Sequence, residues 1–338
     1  MNEEEIFFKD KENCKFEFYH VENDNVNPAL TYIDELYGAA DALSQENYLK
    51  HKRNLKYLSV FGAIVVFLFL LYDEAELHLL IFGCILFILF IYCINRFSQK
   101  SECHRKYTQY RVLAECLRVQ YYIYHAGINR NVSELLPWFT KKGIPWIDEL
   151  VSKIGPFEIT EKNLIINCWI RDQRDYHQRK YNELKVAEER NNRIESRVTW
   201  ITAFTYILAV GFEIWMLSIP SGEIHFDFLD IILNFFQSFG AMIGYTQTDM
   251  IRSILKIVLG SLSAITLLTG NYYGKMSLTN IIEDHRRMEM LYETAKNKIM
   301  QNGFESEELI IDLAREFLIE NSTWYAYQKT NTTDLTFE

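Results

Sequence analysis

The residues best suited to binding a charged ligand lie in one basic and aromatic stretch, HRKYTQYRVLAECLRVQYYIYHAG (residues 104–127). Within it, Arg111, Glu115 and Arg118 recur at steps of three and four residues, so they share one face of a predicted helix. Most of the tyrosines fall on another face. Two interpretations are open. Either the arginines bind phosphates while the tyrosines stack on bases, or the arginines pair with Glu115 along the helix and the tyrosines pack in the core.

A second stretch of the same character, WIRDQRDYHQRKY (residues 169–181), leads along a predicted helix toward an apolar segment. Alternating charges of this kind are typical of a solvated or salt-bridged face. The functional interpretation is a stalk that transmits a cytoplasmic event to the membrane. Together the two stretches supply the candidate residues for binding an anionic ligand, which are Arg105, Lys106, Tyr107, Arg111, Arg118, Tyr121, Arg171 and Arg174.

Catalytic and metal-binding motifs are missing from the sequence. It contains no GxSxG, Walker A loop, GxGxxG or HExxH. The six cysteines include no CxxC pair, which argues against a zinc site and against a disulfide framework. The net charge of −10 argues against a general nucleic-acid binder, although it leaves room for a local basic pocket. We therefore expect neither an enzyme nor a bound cofactor or metal.

The elements that must position these residues include membrane-spanning helices. Residues 57–72 (YLSVFGAIVVFLFLLY) carry no charged side chain, and residues 77–94 (LHLLIFGCILFILFIYCI) carry only His78. Segments of about 17–25 apolar residues can cross a bilayer as a helix. Basic residues flank this pair and the connecting residues 73–76 are acidic, so the positive-inside rule predicts a cytoplasmic N-terminus. The alternative is a buried core hairpin in a soluble protein.

A second pair of crossings is predicted at residues 198–219 and 251–273, with arginines before the first of them. Between them, residues 226–245 (FDFLDIILNFFQSFGAMIGY) favour an amphipathic or re-entrant element on the outer side, and a fifth crossing is the other interpretation. With four crossings, both termini lie in the cytoplasm.

The expected architecture is all-α, with two transmembrane helical hairpins and a cytoplasmic helical domain. Its five parts, in chain order, are an N-terminal cytoplasmic helical segment (1–56), a first transmembrane hairpin (57–96), a cytoplasmic helical domain (97–197), a second transmembrane hairpin (198–274) with an outer amphipathic or re-entrant segment at 221–250, and C-terminal cytoplasmic helices (275–338).

Two ionisable residues, Glu213 and Lys256, fall inside the predicted crossings of the second hairpin. Charges in lipid are costly unless paired or hydrated, so we expect that the two pair or that one of them lines a pore. Alternatively, Lys256 snorkels to the outer interface. Small residues on the fourth crossing suit close helix packing or a pore lining. The candidate pore residues are Glu213, Asn234, Gln237, Lys256 and Ser263. Because four helices of one chain are too few for a wide hole, a pore needs several copies, with a tetramer favoured.

Three stretches together resemble the conserved blocks of bacterial membrane effectors related to the SLATT class. They are HRKYTQYRVLAECLRVQ, WIRDQRDYHQRKY, and EDHRRMEMLYETA followed by LAREFLIENSTWYAYQ, and they cover roughly residues 100–330. Residue by residue, the blocks mark His104, Tyr107, Tyr110, Arg111, Glu115, Arg118, Gln120, Trp169, Gln173, Tyr176, His285, Arg287, Glu320, Asn321 and Trp324. The long aromatic segment at 221–250 departs from the simple pattern, which leaves a pore-helix role for residues 226–245 open.

The resemblance implies a multi-pass effector of antiphage defence in the bacterial inner membrane. Such an effector is an oligomeric pore that depolarises the membrane when a nucleotide-type signal changes. The chain is similar in particular to the channel of Hailong-type systems, in which a nucleotidyltransferase partner makes DNA oligomers. The implied partners are the lipid bilayer, further copies of the chain, and a nucleotide or single-stranded oligonucleotide. A non-conducting membrane scaffold or sensor that recruits a partner protein is the alternative.

Overall fold

The fold is all-α, as the sequence predicts. A computed structural model describes residues 2–17, 28–155, 165–218, 227–238, 241–276, 278–302 and 307–330, and within these ranges the chain forms helices and no strand. In chain order the helices are α1 (Glu3–Glu12), α2 (Pro28–Glu74), α3 (Leu80–Ser101), α4 (Cys103–His125), α5 (Val132–Leu135), α6 (Trp138–Gly143), α7 (Pro145–Ser152), a π-helix π1 (Ile165–Arg171), α8 (Asp172–Ser218), α9 (Asp227–Ser238), α10 (Gln247–Met276), α11 (Leu278–Asn302) and α12 (Glu307–Thr330).

Four helical stretches among the described residues are long and apolar enough to cross a membrane. They are Leu30–Glu74, Leu80–His125, Cys168–Met216 and Gln247–Leu268. The predicted crossings overlap these stretches one for one, which confirms the expectation of four spanning helices by length and composition. The chain is therefore a multi-pass membrane protein.

Two of the helices are much longer than a crossing. α2 and α8 each contain 47 residues, which corresponds to about 70 Å, whereas the hydrocarbon core of a bilayer is about 30 Å thick. In α2, proline stands at the first position, where its missing N–H costs no helical hydrogen bond, and no proline follows inside the helix. The boundary expected near residue 56 is therefore not a break, and polar and apolar segments share one continuous helix.

Unit 1 is one of two compact units, and it brings together three separate parts of the chain. It takes in Met1–Lys52, Ser101–Lys185 and Leu278–Asp334. Phe7, Trp169 and Phe317, one from each part, belong to a single hydrophobic core. The N-terminal, middle and C-terminal pieces that the sequence analysis treats as separate segments thus fold as one body.

The centre of unit 1 is α4, the helix formed by the opening basic and aromatic stretch. Every residue from Val112 to His125 is buried. A helix that is buried on all sides is normally apolar all round. Because α4 also carries charged residues, each of these must find a partner inside the unit.

Unit 2 takes in Arg53–Lys100 and Val186–Ser277 and contains the apolar segments. Within it, α2 and α10 approach closely, since a Cβ added at Gly260 would lie 2.7 Å from Cδ1 of Leu70. This contact supports the packing interpretation for the small residues on the fourth crossing. Gly270, in contrast, has nothing within 4 Å of such a Cβ, so the small residues do not form one continuous contact.

The segment at 226–245 contains the short helix α9, followed by a chain reversal at Met242 (φ 50°) and Gly244 (φ 79°). α9 has 12 residues, or about 18 Å, which is too short to cross a bilayer. It buries Leu233 against Ala75 and Met250. The fifth crossing is therefore not formed by the described part of this segment; residues 219–226 and 239–240 lie outside the described residues.

Candidate functional site

The charged centre of unit 1 is built on Glu115, whose side chain is 4% exposed. Nη2 of Arg111 lies 2.6 Å from one carboxylate oxygen of Glu115, and Nη2 of Arg118 contacts the other. The three residues are one turn apart on α4, so the helix itself sets this geometry. Burial of a charged group is tolerated when it is paired, and here one carboxylate neutralises part of the charge of two guanidinium groups.

Side chains on two neighbouring helices also contact the two arginines. Cζ of Arg118 lies 4.9 Å from the centre of the Phe317 ring on α12, in a cation–π contact. Nη1 of Arg111 lies 3.5 Å from Oδ1 of Asp41 on α2. Helices α2, α4 and α12 are thus connected through a few polar side chains as well as through apolar packing.

A histidine pair connects α8 and α11. The Nδ1 atoms of His177 and His285 are 2.8 Å apart, so one ring donates an N–H to the other. The Tyr292 ring stacks on His177 at 5.8 Å. Desolvation by burial lowers the pKa of His285 to about 4, with a further contribution from the positive charge of Arg111. His285 is therefore neutral at neutral pH.

Glu320, on α12, is the group of this region that titrates near neutral pH. Burial raises the pKa of its carboxyl to about 7, and the negative charges of Asp284 and Glu115 add to the increase. We call the set formed by Arg111, Glu115, Arg118, His177, His285 and Glu320 the polar cluster.

Several buried polar atoms of unit 1, including one in the polar cluster, lack a hydrogen-bond partner among the described residues. They include Oε1 of Gln173, Nε2 of His177 and Nδ2 of Asn321. Buried polar groups are normally satisfied, and exceptions are enriched at functional sites. The polar cluster is therefore the strongest candidate for a functional site in unit 1.

Most of the other predicted ligand residues already have partners within unit 1. The contacts are those of Arg105 with Glu3 and Glu102, Lys106 with Asp10 at 2.6 Å, Arg174 with Glu293 at 2.8 Å and with Asp175 at 2.6 Å, Tyr107 with Tyr48 and Trp324, and Tyr121 with Tyr122 and His125. Arg171 is exposed.

The geometry of α4 corresponds to the second interpretation of the sequence, in which its arginines pair with Glu115 and its tyrosines pack in the core. The described residues of this helix do not form an open wall of cations and rings. A phosphate that bound Arg118 would have to replace the Glu115 carboxylate. Binding of an anionic ligand stays a prediction, with exposed Arg171 the most accessible of the candidate residues.

The pairing of His177 with His285 was not predicted from the sequence. The two histidines lie on separate helices, and 108 positions separate them in the chain. Short-range periodicity carries no signal for such a contact. The family resemblance did mark His285 and Glu320, and in the structure both lie in the polar cluster.

In unit 2, the predicted pore residues Glu213 and Lys256 do not pair with each other. Glu213 accepts from Nε of Arg252 at 2.7 Å and from Nη2 at 2.9 Å. Lys256 lies 3.0 Å from Oε2 of Glu74, which also accepts from Ser253 at 3.3 Å. The predicted pairing of Glu213 with Lys256 is therefore wrong, because each side chain pairs with a different residue. Arg252 and Glu74 were missed because they lie at the ends of the predicted crossings.

The remaining predicted pore residues differ in surroundings. Asn234 and Ser263 are exposed. Nε2 of Gln237 donates to the carbonyl of Met242 at 3.4 Å, a contact that helps to hold the chain reversal after α9. The described residues bring together no group of three or more His, Cys, Asp or Glu side chains that could hold a metal ion.

Comparison of the chain with protein-family models, with curated proteins and with solved structures found no match. The resemblance to SLATT-related effectors stays a prediction from the quoted stretches.

Proposed function

We propose that the protein is an oligomeric membrane effector that forms an ion channel, regulated by a nucleotide or a single-stranded oligonucleotide. In this proposal a nucleotidyltransferase partner makes the ligand. Opening of the channel depolarises the bacterial inner membrane in antiphage defence, and both termini of each copy are cytoplasmic.

The observation that carries the proposal is the set of ion pairs on the apolar helices of unit 2. Glu213 pairs with Arg252, and Lys256 pairs with Glu74, yet the side chains of Glu213 and Lys256 remain 50% and 62% exposed. Charged groups on membrane helices usually face a partner or water, and they mark ion pathways. Exposed pairs at this position are suited to a hydrated path formed between several copies.

The spanning helices also have apolar surface that is available for contacts between copies of the chain. At most 6% of the residues in each spanning window are buried within the chain. Most of this apolar surface is therefore free to contact lipid or further copies. Closed symmetry would place equivalent ion pairs around one axis.

Regulation by unit 1 is supported by the continuity of α8. This helix carries His177 of the polar cluster and Glu213 of the ion pairs, and helices α2 and α8 each supply residues to both units. A ligand that changes the contacts of one end of a continuous helix has a direct covalent connection to the other end. A polyanion would act by displacing the carboxylates that now pair with Arg105, Lys106 and Arg174.

A second function, a non-conducting scaffold that recruits a partner protein, is favoured by one specific observation. All the predicted ligand residues except Arg171 are engaged by carboxylates or packed against aromatic rings within the chain. A network of this kind stabilises unit 1 without any ligand.

Conductance of the purified protein in planar lipid bilayers distinguishes the two functions. We expect discrete currents that a single-stranded oligodeoxynucleotide shifts, and a changed conductance in Glu213→Gln. The matched control is Glu183→Gln, which removes a carboxylate from an exposed pair with Lys180 in unit 1 and should leave the current unchanged. Silence from assembled protein, with and without oligonucleotide, would support the scaffold.

A further inference from the structure

The short helix α9 has three distinct sides, although it contains only 12 residues. At 3.6 residues per turn, Leu229, Ile232, Leu233 and Phe236 share one side, which packs in a small hydrophobic cluster of unit 2. The polar side carries Asp227, Asp230, Asn234 and Gln237. The third side, which we call the open flank, carries Phe228, Ile231 and Phe235.

The open flank is large, apolar and exposed. Phe228, Ile231 and Phe235 are 68%, 70% and 61% exposed, and Ile243, just after the helix, is 69% exposed. Contiguous apolar surface of this kind usually marks an interaction site. The flank borders both the packed side and the polar side, so whatever covers it must also leave the polar side in water.

Specific contacts hold α9 at the ends of the spanning helices. The Met242 N–H donates to the Ala75 carbonyl, at the turn between α2 and α3, with a distance of 3.2 Å. Nε2 of Gln247, at the start of α10, donates to Oδ1 of Asp230 at 2.6 Å. α9 therefore lies level with helix ends, which is where a membrane surface meets an integral protein.

The turn that holds α9 is followed by side chains that are also apolar and exposed. Leu79 and Phe82, in the turn and first residues of α3, are 81% and 68% exposed. They lead directly into the apolar length of that spanning helix. The open flank is thus as apolar and exposed as the first residues of the spanning helix α3.

We infer that α9 is an interfacial helix, with its open flank embedded at the boundary between the headgroups and acyl chains of the membrane that the spanning helices cross. Its acidic side remains in water. Helices with one apolar and one polar side bind in this way, with the apolar face about 5–10 Å into the boundary region. Residues 227–238 contain no lysine or arginine, so apolar burial rather than attraction to anionic lipid holds the helix.

The test is the accessibility of nitroxide labels on the full-length protein in phosphatidylcholine vesicles. Labels are placed at Ile231→Cys on the open flank and at Asn234→Cys on the polar side, and the signal of the labelled parent protein is subtracted to remove the native cysteines. We expect the Ile231 label to collide mainly with oxygen, which dissolves in lipid. The Asn234 label should collide mainly with a water-soluble nickel chelate.

Two results would overturn the inference. Equal, high nickel accessibility at both labels would place the open flank in water. Protection of the Ile231 label from oxygen and nickel together would mean that protein, such as a second copy, covers the flank. A label at Phe228→Cys repeats the measurement at a second position of the same flank, so a local effect of one substitution is recognised. Conduction plays no part in this measurement.

Discussion

At the scale of single residues, Glu115 links two arginines at the centre of unit 1. It is the shared partner of Arg111 and Arg118, and all three lie on a helix that is buried along most of its length. This pairing is one of the two interpretations that the sequence leaves open, because spacing within one helix is visible in the chain. The sequence does not predict the histidine pair, whose members come together only when α8 packs on α11.

Replacing Glu115 with glutamine should strongly destabilise unit 1. The substitution leaves the buried Arg118 without its carboxylate and Arg111 with only the more distant Asp41. Breaking a buried ion pair from one side typically costs about 3–5 kcal/mol. Thermal unfolding in detergent measures the change. Glu183→Gln, which breaks an exposed pair, serves as the control and should melt with the parent protein. Equal melting of both variants would mean that the arginines are compensated by other groups.

His285 should make unit 1 less stable in acid. The folded protein holds the pKa of His285 at about 4 by burial, whereas an exposed histidine titrates near 6.5. As pH falls from 6.5 to 4, the unfolded chain binds a proton that the folded chain does not, and stability is lost. His285→Gln should reduce the slope of stability against pH in this window by up to about 1.4 kcal/mol per pH unit.

The control for the histidine experiment is His78→Gln, which removes an exposed histidine from the turn between α2 and α3. This variant leaves the histidine pair of unit 1 intact, so it controls for the loss of one histidine from the chain. An unchanged slope in His285→Gln would show that the histidine pair does not carry the acid sensitivity.

Titration of Glu320 should change the stability of unit 1 with pH in the opposite direction. Burial raises the pKa of this carboxyl to about 7, so the folded protein keeps a proton that the unfolded chain releases near 4.5. The resulting stability is complete below pH 4.5 and is lost as pH rises through 7. Glu320→Gln, which mimics the protonated form, should be more stable than the parent at pH 8. Glu316→Gln changes an exposed glutamate of the same helix and should have no such effect.

At the scale of helices, the apolar segments were predictable and their connections were not. Runs of apolar residues identify crossings at residues 57–72 and 198–219 because lipid requires them. The extension of α2 and α8 far beyond these runs depends on the absence of a helix breaker, and a change from apolar to polar composition does not stop a helix. Composition marks where the solvent changes, whereas prolines and glycines mark where the backbone turns.

The contact of α10 with α2 gives a prediction at this scale. Gly260→Leu should weaken their packing, because even a single Cβ at this position would lie 2.7 Å from Leu70. Overpacking of this kind typically costs about 1–3 kcal/mol. Gly270→Leu is the matched control on the same helix, since a Cβ there meets nothing within 4 Å. Thermal unfolding in detergent measures the stability of both variants, and we expect the lower melting temperature in Gly260→Leu. Equal melting temperatures would contradict a tight α2–α10 contact.

At the scale of the molecule, unit 1 has a core that distant parts of the chain complete together. His104 and Tyr107 at the start of α4 contact Gln328 and Trp324 near the end of α12. Local periodicity identifies each of these helices but not their grouping, so the sequence suggests separate cytoplasmic segments where the structure has one unit. The residues marked by the family resemblance meet in this unit, although spacing alone does not bring them together.

The central position of α4 has a consequence for the order of events during synthesis. α4 leaves the ribosome after only two of the spanning helices, but α12, which covers its Arg118, follows the last of them. Unit 1 therefore cannot complete its core until all four apolar segments have been translated, and contacts of such long sequence separation form slowly. A nascent chain therefore keeps unit 1 unfinished while the spanning helices are synthesised, so chaperones and proteases have time to act before its core is complete.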